Sequence, residues 1–373
     1  GELPGRLTGR LCFAIRGHLN CEWFEIAYDP YIQGLMDMPS DKLLPMLTRR
    51  AFSGALLGAL AVPFAGRAFA QTPSDIRSRV ADMPQLHAIL VQRGDEVIVA
   101  EAPRGPGLDR GANIKSCSKS IIGLLTGNAI AQGSIPSVDA TIGEIAPSII
   151  PTNATPGVED LTIKDLVTLR AGLESTSGRN YGAWVTSDNW VAFALRRPMV
   201  ATPGGRMIYS TGTTHILGAV LAVATGKSLL VQVRDALGQP LGIEIPAWTQ
   251  DPQGYYFGGN EMAMTPRAML RIATLMRDQG RFDGDQIIPT NWIDQSTQAR
   301  TRSPYSGLDY GYGWFLSCSG FIIARGYGGQ IIAAHPEKDL AVAITSDPTS
   351  PARSGGYFGD LMDLLEGAVL SLA

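Results

Sequence analysis

Residues 116–132 read SCSKSIIGLLTGNAIAQ, and the fold is decided around this stretch. Its apolar residues recur at helical spacing, and Gly133 follows at the position where glycine commonly ends a helix. Ser116 and Lys119 open the pattern three residues apart, so their side chains share one face of the helix. At a helix start, free backbone N–H groups favour negative charge that develops on the serine, and a desolvated lysine can accept the serine's proton. The same spacing also arises by chance in many chains, so its meaning depends on the surrounding sequence.

Strand patterns lie on both sides of this helix. A hairpin pattern at residues 86–100 precedes it, and an antiparallel meander pattern at residues 312–345 is followed by a last helical pattern at residues 358–372. The simplest arrangement places both strand groups in one antiparallel sheet flanked by helices, beside a mainly helical lobe and with a cleft between them. The sequence therefore predicts an α+β fold. The helical patterns of the lobe begin near Thr162, Thr213 and Thr265.

Residues 1–70 are interpreted as lying outside the enzyme. Residues 48–52 read TRRAF, a twin-arginine pattern; an apolar run follows at residues 55–64, and residues 68–70 read AFA, a cleavage signature. The alternative is a core helix that happens to follow two arginines. The apolar run is too short to span a membrane. We expect an upstream extension without a selected fold, a signal peptide cleaved near Ala70, and a mature domain from residue 71 that is periplasmic or secreted and has no stable membrane span.

Composition excludes several classes of function. The net charge of −3 and the lack of any Lys/Arg block argue against a nucleic-acid partner. The four cysteines and four histidines show no metal-binding spacing, so we expect no metal and no other cofactor. A disulfide between Cys117 and Cys318 and two separately buried thiols are both open.

Several further segments, in a fixed order, resemble the serine β-lactamase and penicillin-binding-protein superfamily. The closest branch is the class C-like one, which includes carboxylesterases, D-aminopeptidases and 6-aminohexanoate-dimer hydrolases, and the resemblance spans residues 86–372. It implies a β-lactamase/transpeptidase-like fold, with Ser116 as nucleophile and Lys119 beside it. The segments that carry it are VDATI at 138–142, LTIKDLVTLRAGL at 161–173, MTPR at 264–267, IPTNW at 288–292 and GYGW at 311–314.

The second motif of the family is usually Tyr-x-Asn, and residues 203–211, PGGRMIYST, match its setting. The resemblance implies that Tyr209 relays a proton between Ser116 and the leaving group. Without it, Tyr209 would be a core or surface tyrosine. Thr211 stands where the family has the asparagine that helps to hold the substrate amide, which puts β-lactam turnover in doubt.

The third motif, Lys-Thr-Gly on a strand edge, is best matched by residues 324–326, ARG, and its lysine is absent. The resemblance implies an oxyanion hole made by the backbone N–H groups of Ser116 and Tyr327. Arg325 could replace the lost charge, unless strand alternation turns it away. Gly326 and Gly328 are predicted to let substrate approach the strand.

Other residues have two interpretations or a structural one. Trp184 and Trp190 lie where the family places pocket walls, and core packing is equally plausible for both. His215 is interpreted as a structural histidine rather than a base. No Gly-x-Ser-x-Gly elbow is present, which argues against an α/β-hydrolase.

The predicted function is two-step acyl transfer to water through a Ser-Lys-Tyr mechanism, on a small-molecule ester or small amide. Loss of the family's lysine and asparagine favours this over a β-lactamase or D,D-carboxypeptidase. A third alternative is a non-catalytic module that senses peptidoglycan fragments. The presence of serine, lysine and tyrosine together argues against that alternative.

Overall fold

The computed structural model describes residues 72–373 and, ahead of them, two strands, β1 (Thr8–Ile15) and β2 (His18–Glu25). The chain divides into two units between Phe69 and Ala70. In the first unit, β1 and β2 form an antiparallel hairpin, where the sequence led us to expect no selected fold. The predicted signal peptide and its cleavage site near Ala70 lie outside the described residues and stay predictions.

The second unit is built on an eight-stranded antiparallel sheet in the order β4-β3-β14-β13-β12-β11-β10-β9. The hairpin from the start of the unit pairs with the last strand of the meander, so the prediction of one sheet made from both strand groups is confirmed. Two short pairs, β5–β6 and β7–β8, lie outside this sheet. The strands are β3 (Leu86–Arg93), β4 (Glu96–Glu101), β5 (Ala112–Asn113), β6 (Ala263–Met264), β7 (Arg281–Phe282), β8 (Asp285–Gln286), β9 (Thr301–Arg302), β10 (Asp309–Tyr310), β11 (Phe315–Leu316), β12 (Ile322–Arg325), β13 (Ile331–His335) and β14 (Leu340–Ser346).

Helices surround the sheet and form the lobe beside it. They are α1 (Pro73–Ala81), α2 (Ser118–Ala131), α3 (Ile142–Ile145), α4 (Ile163–Val167), α5 (Tyr181–Val185), α6 (Trp190–Leu195), α7 (Thr211–Thr225), α8 (Leu229–Val233), α9 (Pro266–Arg277), α10 (Thr290–Ser296) and α11 (Tyr357–Asp363). The last helical pattern continues beyond α11 as turns of different pitch, Leu364–Val369 and Leu370–Leu372. Among the described residues, no single helix is long and apolar enough to cross a membrane, although α7 and the segment Leu229–Gly238, bent by 83°, reach that length and composition together.

The central strands are covered on both faces, which explains their nearly continuous apolar sequence. All residues of β13 and β14 are buried. Alternate residues belong to different cores: Ile331 and Val342 pack with the chain-terminal helices, whereas Ile332 and Ala343 pack with α2, α7 and α9. A strand buried on both faces loses the apolar–polar alternation of a half-exposed strand.

The strand predicted from residue 312 begins only at Phe315, because residues 311–313 form a turn between β10 and β11. Gly313 has left-handed backbone, with φ of 86°, and its carbonyl accepts a hydrogen bond from Ser120 Oγ at 2.5 Å. A Cβ atom on Gly123 would lie 2.9 Å from the Tyr312 carbonyl oxygen. The turn therefore packs directly on α2 and holds the helix that carries the predicted nucleophile against the sheet.

Candidate active site

Ser116 lies in a single tight turn, Lys115–Cys117, that leads into α2. Lys115 has left-handed backbone, with φ of 50°, and its N–H donates to Asn113 Oδ1 at 2.9 Å. The Lys115 ammonium also pairs with Glu261 at 3.0 Å. These contacts hold the strained turn, so Ser116 is presented at the mouth of the helix, as the sequence predicted.

Lys119 is 4% exposed, and its amine has three oxygen neighbours. Nζ lies 3.0 Å from Ser116 Oγ, 2.8 Å from the Gly259 carbonyl oxygen and 3.2 Å from Thr211 Oγ1. Burial lowers the pKa of Lys119 to about 7, because removing an ammonium from water disfavours the charged form. The structure thus places an amine that is largely neutral just above pH 7 against the serine hydroxyl.

Tyr209 approaches Ser116 from the segment that precedes α7. Its hydroxyl is hydrogen-bonded to the Ser116 side chain, and Lys119 Nζ lies 5.0 Å from the centre of its ring. Burial raises the pKa of Tyr209; the hydrogen bond with Ser116 and the charge of Arg325 act in the opposite direction and do not overcome it. The three side chains singled out from the sequence therefore meet at one point.

A cavity of about 360 Å³ opens on Ser116 and Tyr209. No carboxylate side chain lines it, and two arginines do. Tyr305 and Tyr327 are 71% and 56% exposed and flank its opening. Beside Ser116 and Tyr209, the lining comprises Ser303, Tyr305, Phe315, Arg325, Gly326, Tyr327, Pro351, Ala352 and Arg353.

Residues 76–362, more than half of the chain, match the family model described as Beta-lactamase. The chain belongs to the β-lactamase family. The resemblance inferred from the sequence motifs is thereby confirmed.

The names of relatives of this β-lactamase-family chain describe different activities. A 6-aminohexanoate-dimer hydrolase from Paenarthrobacter ureafaciens is 24% identical over 306 residues, which cover 74% of this chain and 77% of that protein. The solved structure of EstCE1, described as a hydrolase with promiscuous acyltransferase activity, has a TM-score of 0.66 at 18% identity and covers 79% of this chain and 97% of its own. A penicillin-binding protein homologue from Caulobacter crescentus has a TM-score of 0.66 at 16% identity and covers 80% and 97%. These structures confirm the predicted β-lactamase/transpeptidase-like fold.

Arg325 lies in the wall of the cavity, where its side chain links two segments of the chain. Its guanidinium donates to the Ala352 carbonyl oxygen at 2.8 Å and to Ser354 Oγ at 3.2 Å, and lies 3.5 Å from the centre of the Phe358 ring. Burial lowers its pKa to about 10. Strand alternation has not turned the side chain away from the site, and its hydrogen bonds tie β12 to the loop at residues 351–354.

The glycines of the third motif differ from each other. Gly326 lines the cavity, and a Cβ atom there would lie 2.8 Å from the Ile114 carbonyl oxygen, so glycine is also required by the turn that precedes Ser116. Gly328 is buried, faces the Asp347 carbonyl oxygen and does not line the cavity, and its predicted role in substrate binding stays a prediction. The backbone N–H of Tyr327 makes no hydrogen bond with the described part of the chain, which leaves it available as an oxyanion donor.

Thr211 was predicted to bind substrate, and its side chain is directed to Lys119. Its side chain is 4% exposed, accepts a hydrogen bond from Lys119 and contacts Ser177 Oγ at 3.0 Å. It does not line the cavity. A threonine side chain is shorter than asparagine, and as the first residue of α7 it packs beside Gly259. The structure therefore places the Thr211 hydroxyl against the lysine and outside the lining of the cavity.

Trp184 and Trp190 are core residues, and their alternative placement in the pocket wall is wrong. Trp184 is fully buried and donates from Nε1 to the Trp190 carbonyl oxygen at 2.9 Å. Both rings pack around His215 and Phe257, with centroids 5.0–5.9 Å apart. Their burial against α7 keeps them from the cavity.

Two features of the site were missed by sequence reasoning. Gly259 supplies an acceptor for Lys119, and the neighbouring glycines 258 and 259 could have indicated a close backbone approach. Tyr305 comes from an irregular segment whose position no local pattern predicts. The open question of a disulfide is also answered: Cys117 is buried beside Ser116, Cys318 is exposed, and no disulfide links them.

Proposed function

We propose that this hydrolase of the β-lactamase family cleaves an ester or small amide through an acyl-enzyme formed on Ser116. The observation that carries the proposal is the buried amine of Lys119, 3.0 Å from the Ser116 hydroxyl and with a pKa lowered to about 7. An isolated Ser-x-x-Lys spacing would not require this desolvation. A lysine needs a lowered pKa to act as a base near neutral pH.

In the first step Lys119 takes the proton of Ser116 as the serine oxygen attacks the substrate carbonyl. A neutral amine has two N–H bonds and one lone pair. The Gly259 carbonyl oxygen and Thr211 Oγ1 are suited to accept the two N–H bonds, at 2.8 and 3.2 Å. The lone pair then faces the serine hydroxyl, which is the arrangement a general base requires.

Tyr209 then protonates the leaving group. Its raised pKa keeps the phenol protonated at neutral pH, so it is suited to donate rather than to act as a resting phenolate. Its hydrogen bond to Ser116 places the phenol beside the carbonyl carbon that the serine attacks, and so close to the leaving group on that carbon. The proton held by Lys119 returns to Tyr209, and water releases the acyl group in the reverse sequence of transfers.

The oxyanion of each tetrahedral intermediate would be held by the backbone N–H groups of Ser116 and Tyr327. Support comes from the position of Ser116 at the start of α2 and from the uncommitted N–H of Tyr327. Both residues line the same cavity. Backbone donors of this kind are fixed before the reaction begins and need no rearrangement.

The cavity supports an uncharged or anionic substrate with an apolar acyl group. Its wall is aromatic at Phe315, Tyr305 and Tyr327, and no carboxylate repels an anion. A β-lactamase or D,D-carboxypeptidase is the alternative, and it is disfavoured because the family's third-motif lysine is absent and Thr211 is turned to Lys119. We also propose periplasmic or extracellular action, on the strength of the twin-arginine pattern at residues 48–52.

The test is hydrolysis of p-nitrophenyl butyrate by the wild type, Ser116→Ala and Ser118→Ala. Ser118 is the matched control, because its hydroxyl is buried and donates to the Lys115 carbonyl oxygen at 2.6 Å. We expect Ser116→Ala to be inactive and Ser118→Ala to retain turnover. Undiminished hydrolysis by purified Ser116→Ala would reject the proposal. Rapid nitrocefin turnover by the wild type would favour a β-lactamase instead.

A further inference from the structure

His215 and Asp251 form a fully buried pair that the proposed mechanism does not use. His215 lies on α7 four residues after Thr211, so both side chains occupy one helix face. His215 Nε2 lies 3.0 Å from Asp251 Oδ2, and both side chains are entirely excluded from solvent. On its other side, His215 Nδ1 accepts a hydrogen bond from the Gly258 N–H at 3.3 Å.

These contacts set the tautomer of the imidazole. Because the Gly258 N–H donates to Nδ1, that nitrogen carries no proton, and Nε2 must be the protonated nitrogen that donates to Asp251. Asp251 is engaged on its other oxygen too, since Oδ1 accepts from the N–H groups of Gln253 and Tyr255 at 2.9 and 2.8 Å. Within the described chain, Asp251 is the charged group that contacts His215, and the remaining neighbours are the rings of Trp184, Trp190 and Phe257.

The pair reaches the active site through two adjacent glycines. Gly258 donates to His215, and the next carbonyl, that of Gly259, accepts from Lys119 at 2.8 Å. A Cβ atom on Gly258 would lie 2.6 Å from the Thr214 carbonyl oxygen, and one on Gly259 would lie 3.2 Å from Lys119 Nζ. The glycine backbone is therefore packed directly between α7 and the amine, with no room for a side chain.

We infer that His215 and Asp251 are positioning residues for Lys119, acting through the backbone of Gly258 and Gly259. The inference rests on the proposed role of Lys119 as base. One face of α7 holds the amine twice: directly through Thr211, and indirectly through His215 and the glycine pair. The pair keeps the Gly259 carbonyl on the amine and keeps water away from it, and this burial is the main cause of the low pKa of Lys119.

The decisive variants change the hydrogen-bonding groups that the two ring nitrogens of His215 provide or meet. In Asp251→Asn, the amide oxygen still accepts from the N–H groups of Gln253 and Tyr255, and the amide NH₂ faces His215 Nε2. The imidazole must then move its proton to Nδ1, which faces the Gly258 N–H, so two donors meet. His215→Gln removes the Nδ1 acceptor, whereas the shorter His215→Asn retains an acceptor near that position. The control is His335→Gln, which alters another buried histidine, bonded to the Ser319 carbonyl oxygen at 2.7 Å and remote from Ser116 in the sheet.

The readout is the pH dependence of kcat/KM for p-nitrophenyl butyrate, measured on variants whose folding is verified by circular dichroism. In Asp251→Asn and His215→Gln the loosened glycine pair admits water to Lys119 and raises its pKa. We expect the acid limb of the pH profile, the range in which kcat/KM rises with pH, to move up by about one pH unit. This is equivalent to a tenfold loss of kcat/KM at acidic pH, with kcat reduced and KM unchanged. His215→Asn should shift the limb less than His215→Gln, and His335→Gln should not shift it.

Folded Asp251→Asn and His215→Gln with the wild-type acid limb would overturn the inference. The proposed function fails separately, through an active Ser116→Ala, so the two failures are distinguishable. If the variants do not fold, the wild-type protein provides the test. Its ¹⁵N–¹H NMR spectrum must show His215 protonated at Nε2, and a proton at Nδ1 would overturn the inference as well.

Discussion

On one side of Ser116 the structure is packed and polar, and on the other it is open and aromatic. The first, which we call the lysine side, consists of Lys119, Thr211 and Gly259. The Lys119 amine has three oxygen neighbours within 3.2 Å, and the lysine and threonine are 4% exposed. The burial that lowers the pKa of Lys119 is therefore established by folding, before substrate binds.

The second, which we call the cavity side, consists of Tyr305, Phe315 and Tyr327. Its two tyrosines are 71% and 56% exposed, and it borders the 360 Å³ cavity. The residues that we expect to tune the base, on the lysine side, and those that we expect to contact substrate, on the cavity side, therefore lie on different sides of Ser116. Changes on the lysine side should alter kcat and its pH dependence, and changes on the cavity side should alter KM.

The largest expected effect on this contrast is that of Lys119→Met, which keeps the length of the side chain and removes the base. We expect kcat to fall by about 10²- to 10⁴-fold, the usual worth of a general base. Lys227→Met is the matched control, because the Lys227 side chain is 55% exposed and pairs with Asp235, and neither residue lines the cavity. Equal losses in both variants would contradict the assignment.

Tyr209→Phe should come next and should depend on the leaving group. We expect about a 10²-fold loss for an alkyl ester, whose alkoxide must be protonated, and a smaller loss for a p-nitrophenyl ester, whose leaving group is stable as an anion. The measurement is kcat/KM for ethyl butyrate and p-nitrophenyl butyrate with each protein. A loss of the same size for both esters would remove Tyr209 from the role of acid.

Thr211→Val tests the lysine side without opening it, because valine has nearly the same shape as threonine. In the wild type, kcat/KM should rise with pH through about 7, since the neutral amine of Lys119 is the base. The variant loses one acceptor for the ammonium, which lowers the pKa further, so the acid limb should move to lower pH. We expect about a fivefold loss of kcat from the lost orienting hydrogen bond, and Thr211→Ser should restore both values. A limb that moves to higher pH in Thr211→Val would contradict this account of the amine.

The smallest effects are expected on the cavity side. Tyr305→Ala and Tyr327→Ala each remove an exposed ring, and we expect KM for p-nitrophenyl butyrate to rise by about threefold to fivefold, equivalent to roughly 1 kcal/mol of apolar contact. The value of kcat and the position of the acid limb should stay as in the wild type. If the acid limb of the pH profile shifts in either variant, the cavity side also affects the base, which would contradict the distinction between the two sides.

The sequence could predict features that depend on neighbours along the chain. Ser116 and Lys119 are three residues apart on one helix, so their meeting needs only that helix. Tyr209 was found from the motif around it, which the family retains. The sheet followed from strand patterns at the two ends, because an antiparallel meander can be closed by a hairpin in few ways.

What the sequence could not predict was the side on which a residue packs. Thr211 and Gly328 lie next to the site in the chain, yet one faces Lys119 and the other faces Asp347. Trp184 is buried by rings that come from distant segments. Asp251 contacts His215 from 36 residues further along the chain. Contacts of this kind depend on the tertiary packing, and no local spacing encodes them.

Covalent labelling with a fluorophosphonate, followed by peptide mapping, tests whether Ser116 is the nucleophile. We expect an adduct on Ser116 and none on Ser118 or Ser120, because both of those hydroxyls are buried and donate to backbone carbonyls. Labelling should be faster at pH 8 than at pH 6 and absent in Ser116→Ala. An adduct on another residue, or undiminished labelling of Ser116→Ala, would contradict the account.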